Sequence, residues 1–330
     1  MAKVHTFHTI RNHVLVLLVI LAMALVLLAT PRARAQALEA WGFNGDGELG
    51  NGSKTNSNQP VAVTGMSSGV TAISGGVEHS LAVQNGGLYA WGYNYYGQLG
   101  NGTTNNSTTP VALTGVLSSG VTAIAAGNDF SLAVQNGKIY AWGYNSYGQL
   151  GNGLWGLEYY TDTPASVTGL SSVTAISAGY FHSLAVQNGN VYAWGWNIAG
   201  QLGDGTTNNG LTPEEIDPTD LHNIVAVAGG YDSSYALSSD GSLWVWGDNN
   251  YGELGLGTST TVYLTPQHLL PPSGYLFTSI SSNDVSVLAT LEAVPEPTSL
   301  SLLALGLLSL LARPRRRRAG KFPPAAIAGQ

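Results

Sequence analysis

The sequence predicts an all-β fold: a five-bladed β-propeller of four-stranded repeats about 50 residues long, closed by its N-terminal strand, with an apolar helix at either end. Three observations lead there. Trp-Gly recurs at Trp41, Trp91, Trp142, Trp194 and Trp246, at spacings of 50, 51, 52 and 52 residues. Each copy then continues into an acidic or amide residue followed by Leu-Gly, at Leu49, Leu99, Leu150, Leu202 and Leu254. Between these markers lie short runs that alternate apolar with small or polar residues, the period-2 signature of half-buried strands.

In the first full unit the runs are Pro60 to Thr64, Val70 to Ser74, His79 to Gln84 and Leu88 to Trp91. The last two are joined by Asn85-Gly86, with equivalents at Asn136-Gly137, Asn188-Gly189 and Asp240-Gly241. Such pairs tolerate positive φ and favour a type I′ hairpin. The fifth unit supplies Pro266 to Leu269, Phe277 to Ser281 and Ser286 to Thr290 but no fourth strand, whereas Ala37 to Trp41 is a fourth strand with no blade. Pairing the two is expected to close a ring and cover two sheet edges. A solenoid would need capping ends in place of complementary halves.

Both ends of the chain lie outside this pattern. Lys3 and Arg11, the uncharged run Val14 to Ala29, and Ala33-Arg34-Ala35 have the three-part form of a secretory signal, with cleavage expected after Ala35. The run is short for a permanent span. At the other end, Pro295-Glu296-Pro297 precedes an apolar stretch at 298–312 and then Arg313, Arg315, Arg316, Arg317 and Arg318. Arginines directly behind an apolar segment stay cytoplasmic and leave the preceding chain facing outward. The expected organisation is a signal peptide at 1–35, the propeller at 36–293, a sorting segment at 294–318 containing the transmembrane stretch, and a tail at 319–330.

Charge and composition exclude several classes of function. The whole chain carries a formal charge of −7, but residues 36–293 hold two lysines, Lys54 and Lys138, against eighteen carboxylates. Nucleic-acid affinity depends on Lys and Arg displacing counterions, so DNA and RNA are not expected partners. Cysteine is absent, which removes disulfides, thiolate metal sites and a cysteine nucleophile.

Two resemblances sharpen this reading. The Trp-Gly strand, the Gly-x-Leu-Gly loop and the Gly-x-x-His-Ser strand, here Gly76 to Ser80 and Gly179 to Ser183, resemble the regulator of chromosome condensation repeat family. That resemblance spans residues 38 to 290 and implies a propeller, although members commonly have seven blades. The C-terminal segment resembles a PEP-CTERM sorting signal. It implies a Gram-negative host, in which secretory translocase, signal peptidase and exosortase act on the chain. The chain would be held transiently in the inner membrane and end at the cell surface or outside the cell. Guanine-nucleotide exchange or chromatin binding, which the first family would suggest, conflicts with export and with the negative charge.

No catalytic set is expected, and no cofactor. His79 and His182 share one repeat position, where other copies carry Phe130, Ser233 and Ser286, and are read as blade packing. His79-Ser80 sends adjacent side chains to opposite faces of a strand, which is not a triad. Asn44, Asp46 and Glu48 place oxygen ligands at alternate positions of a Gly-rich turn, a weak calcium candidate. Tyr95, Tyr96, Tyr147 and Tyr251 sit in equivalent loops, with Trp155, Tyr159 and Tyr160 in a lengthened one. Exposed on one rim they would contact sugar or protein; otherwise they wedge between blades. The expected function is therefore an extracellular module that binds polysaccharide or protein. The rival is a polymer-acting hydrolase or lyase, which would need carboxylates from among Asp46, Glu78, Asp129, Asp162, Asp232 and Asp248 to converge.

Overall fold

A computed structural model describes residues 37–294, apart from 158, 217–220, 260 and 284. The expected signal peptide with Ala33 and Ala35, the sorting residues Pro295 to Arg318 and both flanking apolar helices lie outside the described residues. Among those described, no helix is long and apolar enough to cross a membrane.

Among the described residues, twenty strands form four four-stranded antiparallel sheets and two two-stranded ones. The N-terminal half-sheet is β1 (Glu39–Gly42) with β2 (Ser57–Ala62). The first complete blade is β3 (Val70–Gly75), β4 (His79–Gln84), β5 (Gly87–Gly92) and β6 (Ser107–Ala112). The second is β7 (Val121–Ala126), β8 (Phe130–Gln135), β9 (Lys138–Tyr144) and β10 (Tyr160–Ser166). The third is β11 (Val173–Ala178), β12 (His182–Gln187), β13 (Asn190–Gly195) and β14 (Gly210–Glu215). The fourth is β15 (Ile224–Gly229), β16 (Ser233–Ser238), β17 (Leu243–Gly247) and β18 (Tyr263–Leu269). β19 (Tyr275–Ser282) and β20 (Val287–Ala293) form the C-terminal half-sheet.

The strand positions agree with the sequence, but the grouping into blades differs. The segment expected to open each unit closes the preceding blade instead: β6 pairs with β5, β10 with β9, β14 with β13 and β18 with β17. A repeat period carries no phase. The long Asn-pinned loop after each Trp strand turns the chain back onto that strand, so the hairpin forms locally at low loop-closure cost.

The same rule corrects the expected closure. β1 finds its partner in β2, with Glu39 opposite Ala62 and Ala40 opposite Val61, and no hydrogen-bonded ladder joins β1 to β20. The described residues thus form an arc: a half-sheet, four blades and a second half-sheet.

Hairpin chemistry follows the sequence at three of four sites. Asn85, Asn136 and Asn188 have φ of 51°, 51° and 53°, each followed by a glycine at positive φ, as a type I′ turn requires. At the fourth, Gly241 alone has positive φ, its N–H donates to Ser238 O, and the Ser238 N–H donates to Ser242 O. That is a three-residue loop ending in a glycine bulge, so Asp240 needs no left-handed conformation.

Neighbouring blades are bolted together by the tryptophan. The Trp91, Trp142, Trp194 and Trp246 indole N–H groups donate to the backbone oxygens of Glu48, Gln98, Gln149 and Gln201 in the preceding loop, at 2.7, 2.8, 2.9 and 2.9 Å. A Cβ on Gly100, whose φ is +68°, would lie 2.6 Å from the Trp142 Nε1, so both space and backbone demand glycine. Around each indole the apolar faces of successive sheets interlock: Phe130, Leu132 and Ile139 of the second blade pack in one core with Val173, Ala185 and Trp194 of the third.

Candidate functional site

The loop that receives each indole is shaped by an asparagine three residues after the Trp. Asn94 Oδ1 accepts the Leu99 N–H at 2.8 Å while its Nδ2 donates to Thr103 O and Asn105 O. Asn44, Asn145, Asn197 and Asn249 make the matching bond to Leu49, Leu150, Leu202 and Leu254. All five are fully buried. Asn44 is therefore a loop pin, with its amide oxygen committed to Leu49. Asp46 Oδ1 accepts from Lys54 and Asn106, and Glu48 Oε2 accepts the Asp46 N–H. In the weak calcium candidate, Asn44 Oδ1, Asp46 Oδ1 and Glu48 Oε2 are thus engaged with protein donors, while Glu48 Oε1 is buried without a partner. Among the described residues, no cluster of three His, Asp or Glu side chains is placed to hold a metal.

Beside each loop stands the turn between the first and second strands of the next blade. Glu78, Asp129, Phe181 and Asp232 occupy one position there, and their backbone oxygens accept the N–H of Tyr93, Tyr144, Trp196 and Asp248. This bond fixes the residue two after each Trp onto the same face of the arc as the turn. Aromatic side chains therefore gather there. Ten rings form a continuous network: Tyr93, Tyr95, Tyr96, Tyr160, Tyr144, Tyr147, Phe181, Trp196, Tyr180 and Tyr231. Tyr96 meets Tyr144 at 4.7 Å between centroids, Tyr147 meets Trp196 at 4.1 Å, and Tyr180 stacks on Tyr231 at 4.1 Å.

The sequence-predicted aromatics divide into two groups. Tyr96 and Tyr147 are half-buried and wedge between neighbouring blades, while Tyr95 is 63% exposed and rests on Tyr93 and Tyr96. Trp155 and Tyr251 are 63% and 77% exposed and make no ring contact with the network; Tyr159 is half-buried and Tyr160 exposed. Sequence reasoning missed Tyr93, Tyr144, Phe181, Trp196, Tyr180 and Tyr231. The signal was available, because an aromatic stands two residues after the Trp in four of five copies.

Carboxylates border this aromatic shelf. Asp129 Oδ1 accepts from Gln98 Nε2 at 3.0 Å and Asp232 Oδ1 from Gln201 Nε2 at 2.7 Å, each glutamine reaching from the preceding loop. Where the turn carries Phe181, the buried Gln149 Nε2 has no hydrogen-bond partner. Burial, reinforced by Glu78, pushes the Asp129 carboxyl up to about 6, and burial with Asp248 does the same for Asp232. Burial and the nearby Asp129 raise the Tyr93 hydroxyl. Asp162 is on β10, where its backbone oxygen accepts the Gly102 N–H of the preceding loop.

His79 and His182 are buried within blade junctions, with Nε2 2.9 Å from the Ser131 and Ser234 hydroxyls of the next blade. Burial lowers them to about 4 and about 3, so both are neutral at pH 7.

Comparisons with known proteins accord with this architecture. A family model described as an RCC1-like domain matches residues 36–293, and one described as a PEP-CTERM protein-sorting motif matches 293–317. The ultraviolet-B receptor UVR8 of Arabidopsis thaliana is 32% identical over 228 residues, covering 67% of this chain and 51% of the receptor. The chain spans about half, or less, of the length of the curated relatives it matches. The crystal structure of human WBSCR16 superposes with a TM-score of 0.69 at 24% identity, covering 79% of this chain and 68% of that one. Prp20p from Saccharomyces cerevisiae gives 0.66 at 18%, covering 83% and 67%. At these identities the two structures speak to fold alone.

Proposed function

We propose an extracellular binding function for this chain, which belongs to the RCC1-like domain family and carries the PEP-CTERM motif of bacterial proteins that are exported, processed by exosortase and sorted to the cell surface. The ligand class we assign is a neutral or amino-bearing polysaccharide. One observation carries this reading: ten contacting rings on one face of the arc, with Tyr95 exposed on their surface and Glu78, Asp129 and Asp232 alongside.

The chemistry fits a sugar polymer. The C–H face of a pyranose stacks on a flat aromatic ring, and carboxylates accept hydrogen bonds from its hydroxyls. Several rings in series, each with few rotatable bonds, hold successive sugars at low entropic cost. With two lysines against eighteen carboxylates in 36–293, a polyanionic glycan would be repelled, whereas an amino sugar would gain Coulomb attraction. Chromatin or nucleotide partners are disfavoured on the same grounds.

Affinity electrophoresis of the full chain in detergent against a panel of neutral, amino-bearing and acidic polysaccharides tests the proposal. Retardation by a neutral or amino polymer, weakened in Tyr95→Ala, is expected; retardation by acidic polymers alone would overturn it.

A second reading is favoured by one observation. Asp129 and Asp232, held near pH 6, have the protonation range of a general acid. Each is tied to a glutamine, however, and the two come from blades separated by a third. We therefore propose binding without turnover. Release of reducing ends from a retained polymer, abolished by Asp129→Asn or Asp232→Asn, would establish the hydrolase instead.

A further inference from the structure

The five Trp-Gly strands are chemically alike, but one of them is used differently. Trp91, Trp142, Trp194 and Trp246 are at most 2% exposed, each with its indole N–H on the preceding loop. Trp41, on β1, is 64% exposed. At the other end of the arc the fifth loop is built like the first four, with Asn249 pinning Leu254. Yet the Glu253 backbone oxygen accepts from the Tyr235 hydroxyl at 3.2 Å, and Gly255 faces Leu269 where the other four loop glycines face an indole. An open pocket of about 400 Å³ lies there, bounded by Glu253, Gly255, Phe277, Val287 and Ala289.

The half-sheets are complementary as well as incomplete. β19 and β20 pair as the first two strands of a blade, with Ile280 opposite Ala289 just as Val227 lies opposite Ala236 in the fourth blade. β1 and β2 pair as the last two, with Ala40 opposite Val61 just as Ala90 lies opposite Val111. Leu288 of β20 corresponds to Leu81, Leu132 and Leu184. Those three are at most 1% exposed, and Leu288 is 76% exposed.

We propose that β1–β2 of one copy of this chain completes β19–β20 of a second copy, placing Trp41 in the pocket at Gly255. The register follows from β4 and β5, where Ser80 faces Trp91, Leu81 faces Ala90 and Ala82 faces Tyr89. It sets Val287 opposite Trp41, Leu288 opposite Ala40 and Ala289 opposite Glu39. The Trp41 indole N–H then donates to Glu253 O, as its four counterparts do.

The occupant is a second copy because the chain's own β1 and β20 share no ladder: β1 pairs with β2 alone and β20 with β19 alone. Matching bridges recur between blades, His79 to Ser131 and His182 to Ser234 at 2.9 Å, and Ser74 Oγ to Ala126 N and Ser177 Oγ to Gly229 N at 3.0 Å. These bonds fix the first-to-second and third-to-fourth junctions in the same way, and at the two ends of the series β20 and β1 are left unpaired. Two unlike faces meeting in this way form a heterologous, head-to-tail contact by strand addition, which also covers two exposed sheet edges.

The chain has no cysteine, so introduced thiols report cleanly. Full chains carrying Ala40→Cys alone and Leu288→Cys alone, mixed in detergent under mild oxidant, are expected to give a disulfide-linked dimer that neither gives separately. Glu39→Cys with Ala289→Cys should do likewise. The out-of-register mixture of Ala40→Cys with Leu291→Cys should link roughly tenfold less, because disulfides form only over a narrow Cβ separation. Adding Trp41→Ala to the first pair should reduce linking. A chain bearing both Ala40→Cys and Leu288→Cys should give a ladder of oligomers. An internally linked monomer would show that one chain closes on itself and would overturn the proposal, as would equal linking in and out of register. A chain that stays monomeric in sedimentation velocity at every concentration would do the same without any substitution.

Discussion

Trp142 and Trp41 occupy the same place in the repeat, yet one is sealed between sheets with its N–H on Gln98 O and the other stands open to solvent. What separates them is the neighbour each strand meets. A propeller blade is a sheet with two buried faces, and an indole becomes core only when the preceding loop is there to receive it. The interior of the arc and its two ends therefore differ in energy far more than in sequence.

The largest effects should come from breaking an interior junction. Trp142→Ala or Gly100→Ala is expected to cost about 3–5 kcal/mol by urea unfolding, through the cavity in the first case and the clash at positive φ in the second. Trp41→Ala should cost under about 1 kcal/mol in dilute chain, because an exposed ring loses little on truncation. Equal losses at Trp41 and Trp142 would erase the distinction. Next comes Asn145→Ala, which leaves the buried Leu150 N–H without its acceptor and should cost about 1–3 kcal/mol.

The pH response is smaller and has two opposing parts. Asp129 and Asp232, near 6 in the folded chain against 3.8 when unfolded, hold protons between those values that the unfolded chain has lost. Their contribution to stability therefore grows as pH falls from about 6 to about 4. His79 and His182 act the other way: the unfolded chain takes up protons below 6.5 while the buried rings stay neutral down to about 4 and 3, so stability is lost on acidification. The double variant Asp129→Asn with Asp232→Asn keeps both glutamine contacts. It should gain about 1 kcal/mol at pH 7, a figure that allows for solvent screening, and then lose stability steadily below pH 6.5. A wild-type profile as steep as the variant's would remove the carboxylates from this account. Smallest of all, Tyr95→Ala should shift thermal stability by less than about 0.5 kcal/mol while weakening polysaccharide retention.

Much of this was legible in the residues. Trp-Gly spacing and the Asn-Gly pairs located nearly every strand, because turn chemistry and period-2 patterning are local properties. The grouping of strands into blades was not, since Pro60 to Thr64 reads the same whether it opens one sheet or closes another. Ring closure depends on the turn between blades, which is set by contacts such as His182 with Ser234 that no single segment encodes. At the rim, Tyr95 and Tyr147 stood out as loop aromatics, but Tyr144 and Trp196, two residues past the tryptophan that ends each run, did not. Their convergence with Phe181 arises from a backbone bond between segments 15 residues apart in the repeat. Asn44 looked like an ion ligand because a pin and a ligand share the same amide oxygen; only its five-fold recurrence identifies it as a pin.

Hydrogen exchange on the full chain at high dilution tests the contrast between interior and ends most directly. Amides of β8, β12 and β16, in the middle of complete blades, should exchange slowest, and those of β1 and β20 fastest, with the latter pair gaining protection as concentration rises. Uniform slow exchange across β1, β20 and the interior strands at every dilution would contradict the account, for it would mean that one chain completes all of its own junctions.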